Sequence, residues 1–79
     1  MVSDANHKKI IARLSALSNR ERQVATLVCD GLSNKTIART LGVSEGTVKI
    51  HLHSVYKKLG ISGRAALVAA LALSRGDRS

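Results

Sequence analysis

Lys49, His53 and Lys57 recur every four residues, the spacing that stacks side chains on one face of an α-helix. Such a ridge spans roughly 12 Å of helix, comparable to the width of the major groove of B-form DNA. The chemistry it offers is donation to anions and to base edges. His51 and His53 are two positions apart, so they point to different sides of a helix and cannot share a metal ion as an i, i+4 pair can. Cys29 is the single cysteine, which excludes both a zinc quartet and an intramolecular disulfide. No paired carboxylates, no nucleophile beside a base and no glycine-rich phosphate loop can be assembled, so the chain is expected not to be an enzyme and to need no cofactor or metal.

The elements that position this ridge must fit in 79 residues, room for one small domain. Thirteen Lys and Arg against five Asp and Glu give a net charge of +8, which favours polyanions: nucleic acid first, an anionic membrane surface second. Proline is absent and Tyr56 is the one aromatic residue. The core must therefore be filled by Leu, Ile, Val and Ala, and an all-α fold is expected. A lone Tyr56 makes no stacking platform for single-stranded RNA. The longest apolar run, residues 65–73, is about half of the ~20 residues a membrane-spanning helix needs. Asp4, His7, Lys8 and Lys9 occupy the place where a secretory signal would carry its apolar stretch, so a cytoplasmic location and no membrane partner are expected.

Ile10, Ile11, Leu14 and Leu17 recur at spacings of three and four and describe a short front helix ending near Leu14. It packs on the bundle or belongs to a linker, and the spacing does not separate the two. Ser18 to Glu21 reads as a capping box. The helix it opens carries an apolar stripe of Val24, Leu27 and Val28, with Gly31 as its left-handed terminus. Ser33 or Asn34 caps a short helix that turns Ile37, Ala38 and Leu41 inward and ends at Gly42. After Val43, Ser44 caps the longer helix of the ridge, whose opposite face is Val48, Leu52, Val55 and Leu59. Gly60 closes it, Ile61-Ser62-Gly63 turns, and residues 64–74 form a last helix rich in alanine. The second and third of these capped helices, joined through Gly42, make a helix-turn-helix in which the later helix protrudes and the earlier one braces it.

The run Leu17-Ser18-Asn19-Arg20-Glu21-Arg22 with Val24, then Gly31-Leu32-Ser33-Asn34-Lys35 with Ile37-Ala38, then Leu41, Val43-Ser44-Glu45, Thr47-Val48-Lys49, His51, Lys58-Leu59-Gly60 and Arg64 resembles the LuxR/GerE-type helix-turn-helix domain of bacterial transcription regulators. The likeness covers residues 15–74, leaving 1–14 as an extension or linker helix and 75–79 as a tail. It implies sequence-specific binding of double-stranded DNA with the third helix in the major groove. Base readout then falls on Lys49, Ile50 and His53, and phosphate contacts on Asn34, Lys35, Thr47, Lys57 and Lys58. It further implies a homodimer on DNA through the fourth helix, at Leu67, Ala70, Leu71 and Ser74, with RNA polymerase as a second partner. Such a domain is usually the C-terminal output module of a larger regulator, behind a phosphorylated receiver or a small-ligand sensor. Ser54 departs from the family, which commonly has Asn there, and Gly63 replaces a frequent polar residue.

Two other readings stay open. Region four of a sigma factor shares the Gly46-Thr47-Val48-Lys49 helix start, although His51, Lys58-Leu59-Gly60 and the last helix are foreign to it. A helical protein-interaction module would use the apolar fourth helix and leave the ridge as solvated charge. His51 is expected to pack or hydrogen-bond beside the core, Cys29 to lie near it, and Arg20 with Glu21 to serve the helix start.

Overall fold

The computed structural model describes residues 12–74, which form four helices after a helical turn at 12–14: α1 (Asn19–Cys29), α2 (Asn34–Leu41), α3 (Glu45–Leu59) and α4 (Arg64–Ser74). No strand occurs among the described residues. The expected all-α, four-helix arrangement is therefore present. Ile10 and Ile11 of the front helix lie outside the described residues. Leu17 is buried and Leu14 packs against the core, so the end of that helix belongs to the bundle.

Each boundary has a local chemical cause. Ser18 caps α1 through the full box: the Glu21 amide donates to Ser18 Oγ at 3.1 Å and the Ser18 amide donates to Glu21 Oε1 at 2.8 Å. Ser33 and Ser44 cap α2 and α3 by accepting from the Thr36 and Thr47 amides. At the far ends of α1, α2 and α3 the chain closes on a glycine of positive φ, and the next residue donates back five positions. Leu32 donates to the Leu27 carbonyl, Val43 to that of Ala38 and Ile61 to that of Tyr56, at 3.2, 2.9 and 3.0 Å. These are Schellman closures, which satisfy carbonyls that a helix end otherwise leaves bare.

The core is aliphatic. Val24, Ala25 and Val28 of α1 and Ile37 and Ala38 of α2 meet Val48, Leu52, Val55 and Leu59 of α3, with Leu67 entering from α4. Each fully buried Leu or Ile adds about 1.5–3 kcal/mol relative to exposure. The α1 stripe is wider than expected: Ala25 is buried as well, and Leu27 is half-buried against the core. The Leu27 carbonyl also accepts the Leu32 amide at the helix end. α3 packs on both α1 and α2, and α4 packs on α1. The face of α3 opposite its core stripe is left open.

Candidate nucleic-acid interface

The helix-turn-helix is α2, the three residues Gly42, Val43 and Ser44, and α3. Gly42 holds φ 70°, a left-handed conformation that costs an L side chain steric strain and glycine little. Ala38, buried on α2, allows close approach to α3. Val48, fully buried, pins the first turns of α3 to the core. With Val48 inward, Lys49 and Ile50 must point out, and both are exposed. Ile50 is 69% exposed, the largest exposure of a big apolar side chain among the described residues. His53 and Lys57 continue the exposed face, whereas His51 is half-buried beside the core stripe. Glu45 lies in the first turn of α3 and Lys57 and Lys58 in its last, charges that suit the two ends of the helix dipole.

Around this ridge the other expected contact residues fall into different situations. Lys35 is exposed on the first turn of α2. Thr47 is half-buried, and its hydroxyl lies 3.0 Å from Ser44 Oγ within the α3 cap. Asn34 accepts from Arg64 Nη1 at 3.0 Å, while Arg64 Nη2 donates to the Leu32 carbonyl. The start of α4 is thus tied to the start of α2, and what remains of the Asn34 side chain for an anion is its Nδ2 donor. Lys58, expected at a phosphate, is held by the protein's own groups. Its ammonium lies 2.8 Å from Glu21 Oε1 and donates to the Ala16 carbonyl at 3.3 Å. The buried carboxylate holds the ammonium while the Lys58 side chain stays 39% exposed.

Glu21 is the centre missed by sequence reasoning. Besides Lys58 and the Ser18 amide, it accepts from Ser54 Oγ at 2.6 Å. The Lys58 hydrogen bond above all, then those from Ser54 and the Ser18 amide, lower its pKa to about 2 against the opposing effect of burial. The capping box marked Glu21 in the sequence, but nothing in the spacing of residues 21, 54 and 58 announced the long-range partners. Arg13 was missed as well: its guanidinium donates to the Leu59 carbonyl at 3.2 Å, closing the end of α3. Among the described residues no group of three or more His, Cys, Asp or Glu could hold a metal ion, and no helix is long and apolar enough to cross a membrane.

The family profile described as bacterial regulatory proteins, luxR family, matches residues 15–71. The chain belongs to that family. It is 42% identical over 67 residues to YhjB of Escherichia coli (strain K12), named as an HTH-type transcriptional regulator, covering 85% of this chain and 34% of that protein. It is 53% identical over 53 residues to the HTH-type transcriptional regulator Mb0914c of Mycobacterium bovis, covering 67% of this chain and 6% of that protein. Among solved structures it resembles the response regulator StyR, with a TM-score of 0.76 and 41% identity over 81% of this chain and 32% of that one. The chain thus spans about a third of the length of YhjB and StyR.

In this luxR-family domain three of the residues expected at a dimer interface lie on the side of α4 that meets the bundle. Leu67 and Ala70 are buried in the protomer's own core, and Leu71 is half-buried against it. Their spacing of three and four makes them the stripe by which α4 covers α1. The side chain of Ser74 lies outside the described residues. The outward face of α4 is instead Ala65, Val68, Ala69 and Ala72, with Val68 41% exposed.

Proposed function

We propose that this luxR-family domain reads double-stranded DNA by sequence, as the DNA-binding unit of a cytoplasmic transcription regulator, with α3 in the major groove. The observation that carries the reading is the open face of α3, where an exposed Ile50 stands between Lys49 and His53 on a helix braced by a helix-turn-helix. An apolar side chain left bare among hydrogen-bond donors suits a groove that presents both acceptors and thymine methyls. Lys49 donates to a guanine edge, Ile50 meets a thymine methyl and His53 an acceptor. Lys35, Thr47, Lys57 and the Asn34 amide face phosphates.

Residues 15–74 act as the binding unit. Two copies pair on DNA through the outward face of α4, and RNA polymerase is the protein partner downstream. The role is binding and not catalysis. YhjB, Mb0914c and StyR are named for regulation, which supports this reading over a sigma-factor region or a protein-interaction module. The test is a selection of random duplexes by the purified protein at two salt concentrations. Enrichment of a half-site or palindrome, with affinity falling steeply as salt rises, is the expected result. Binding that tracks charge alone, with nothing enriched, would overturn it.

A further inference from the structure

We infer that Ser54 and Lys58, both anchored on Glu21, are positioning residues that set the roll of α3 about its axis and so decide whether its outward side chains meet base edges or only phosphates. The inference rests on the DNA-reading role of α3 proposed above. The face α3 buries is made of Val48, Leu52, Val55 and Leu59, and aliphatic contacts hold a helix down without strongly directing its rotation. Direction comes from hydrogen bonds. Ser54 and Lys58 are one turn apart on the same side of α3, and both converge on one carboxylate, at 2.6 Å to Oε2 and 2.8 Å to Oε1. That carboxylate is itself fixed to the first turn of α1 by the Ser18 amide at 2.8 Å. The rotation of α3 is thereby referred to the backbone at the start of α1, across 33 and 37 residues of chain.

His53 and Lys57 each immediately precede a clamp residue. The clamp therefore acts on the rotational setting of the ridge itself. A roll of about 10° displaces an atom at the ~6 Å outer radius of a helix by about 1 Å. That is enough to spoil a hydrogen bond to a base edge, while a mobile lysine still reaches a phosphate. The ammonium of Lys58 is also neutralised at close range by Glu21, so it adds nothing to the charge that releases counterions from DNA.

The test compares the 79-residue chain with Ser54→Ala, Ser54→Thr and the double variant Glu21→Gln/Lys58→Met. Each is measured on the duplex selected by the wild type and on a random duplex, over a range of salt, with circular dichroism to register folding. Loss of one hydrogen bond to a charged group is expected to lower the selected-to-random affinity ratio of Ser54→Ala about tenfold. Random-duplex affinity stays unchanged and Ser54→Thr, which restores the hydroxyl, regains most of the ratio. The double variant lowers the ratio likewise and leaves the salt slope as in the wild type. A slope shallower by about 0.9 would make Lys58 a phosphate ligand and overturn its part in the clamp. Equal discrimination by Ser54→Ala and wild type overturns the inference outright, and the Ser54 pair decides should the double variant lose its helix. A wild type that enriches no duplex overturns the reading underneath, an outcome distinct from either.

Discussion

Glu21 stays ionised while buried because three donors converge on it, and the sign of its linkage to stability follows. A carboxylate whose pKa is held near 2 when folded, against an ordinary value of 4.5, stabilises the fold above the ordinary value and loses that contribution as pH falls toward 2. The loss is on the order of 2–3 kcal/mol, reduced from the full linkage value because Lys58 is partly exposed. Urea unfolding at pH 5 and pH 2.5 should show this loss in the wild type, and Glu21→Gln should lack that portion of it. On the opposite face of α3, Lys49→Ala should cost about 1–3 kcal/mol on the selected duplex and relax one base position. Lys35→Ala should weaken all duplexes alike and make the salt slope shallower by about 0.9. Titrations of selected and random duplexes separate the two, and equal losses on both for Lys49→Ala would remove it from base readout. The exposed ridge was legible because periodicity alone separates Lys49, His53 and Lys57 from Val48, Leu52 and Val55. Lys58 was not, since its exposure depends on a carboxylate 37 residues away.

The helices were legible because their ends are written locally. Ser18, Ser33 and Ser44 announce starts, and Gly31, Gly42 and Gly60 announce stops, each needing only its neighbours in the chain. Two further ties between elements use arginine: Arg13 to the Leu59 carbonyl, and Arg64 to Asn34 and the Leu32 carbonyl. An arginine reaching a carbonyl 32 or 46 residues away has no sequence signature, since backbone acceptors exist everywhere. Gly60 shows local and long-range demands on one residue. It holds φ 69°, and the Arg13 guanidinium lies where a Cβ would be placed. Gly60→Ala should therefore destabilise by about 1–2 kcal/mol, part from backbone strain and part from displacing Arg13. In a domain of this size that lowers Tm by roughly 4–15 °C. Gly63, whose carbonyl accepts the Leu67 amide at the start of α4 and which has no atom within 4 Å of a built Cβ, is the control. Gly63→Ser should be neutral or stabilising by a few tenths of a kcal/mol, as a better cap. A Gly60→Ala variant that melts with the wild type would remove both demands.

For the whole molecule, α4 is the element whose composition says least about which side faces what. Ala-rich helices offer apolar surface all round, so residues 64–74 leave the core face and the partner face indistinguishable by residue type. Packing on α1 buries Leu67 and Ala70 and leaves Ala65, Val68, Ala69 and Ala72 exposed, the face proposed above for a second copy. That face is small. An 11-residue helix is about 16 Å long, so one side of it offers on the order of 200–300 Å² per partner, well below the ~800 Å² typical of a stable complex. Pairing through α4 should therefore be too weak to hold two copies together in free solution. On DNA it should become effective, because two adjacent half-sites raise the local concentration of one copy near the other. The wild type is expected to sediment as a monomer alone, as a one-to-one complex on a single half-site, and as a cooperative two-to-one complex on a duplex with two half-sites. Val68→Asp places a charge at the centre of the paired face and repels its symmetry mate. It should abolish the cooperativity, leave single half-site affinity within about twofold, since a change far from the readout helix acts on pairing alone, and leave the Tm nearly unchanged. Equal cooperativity in wild type and Val68→Asp would move the pairing surface off α4. A wild type that binds the double site one-to-one would make the domain a monomeric reader.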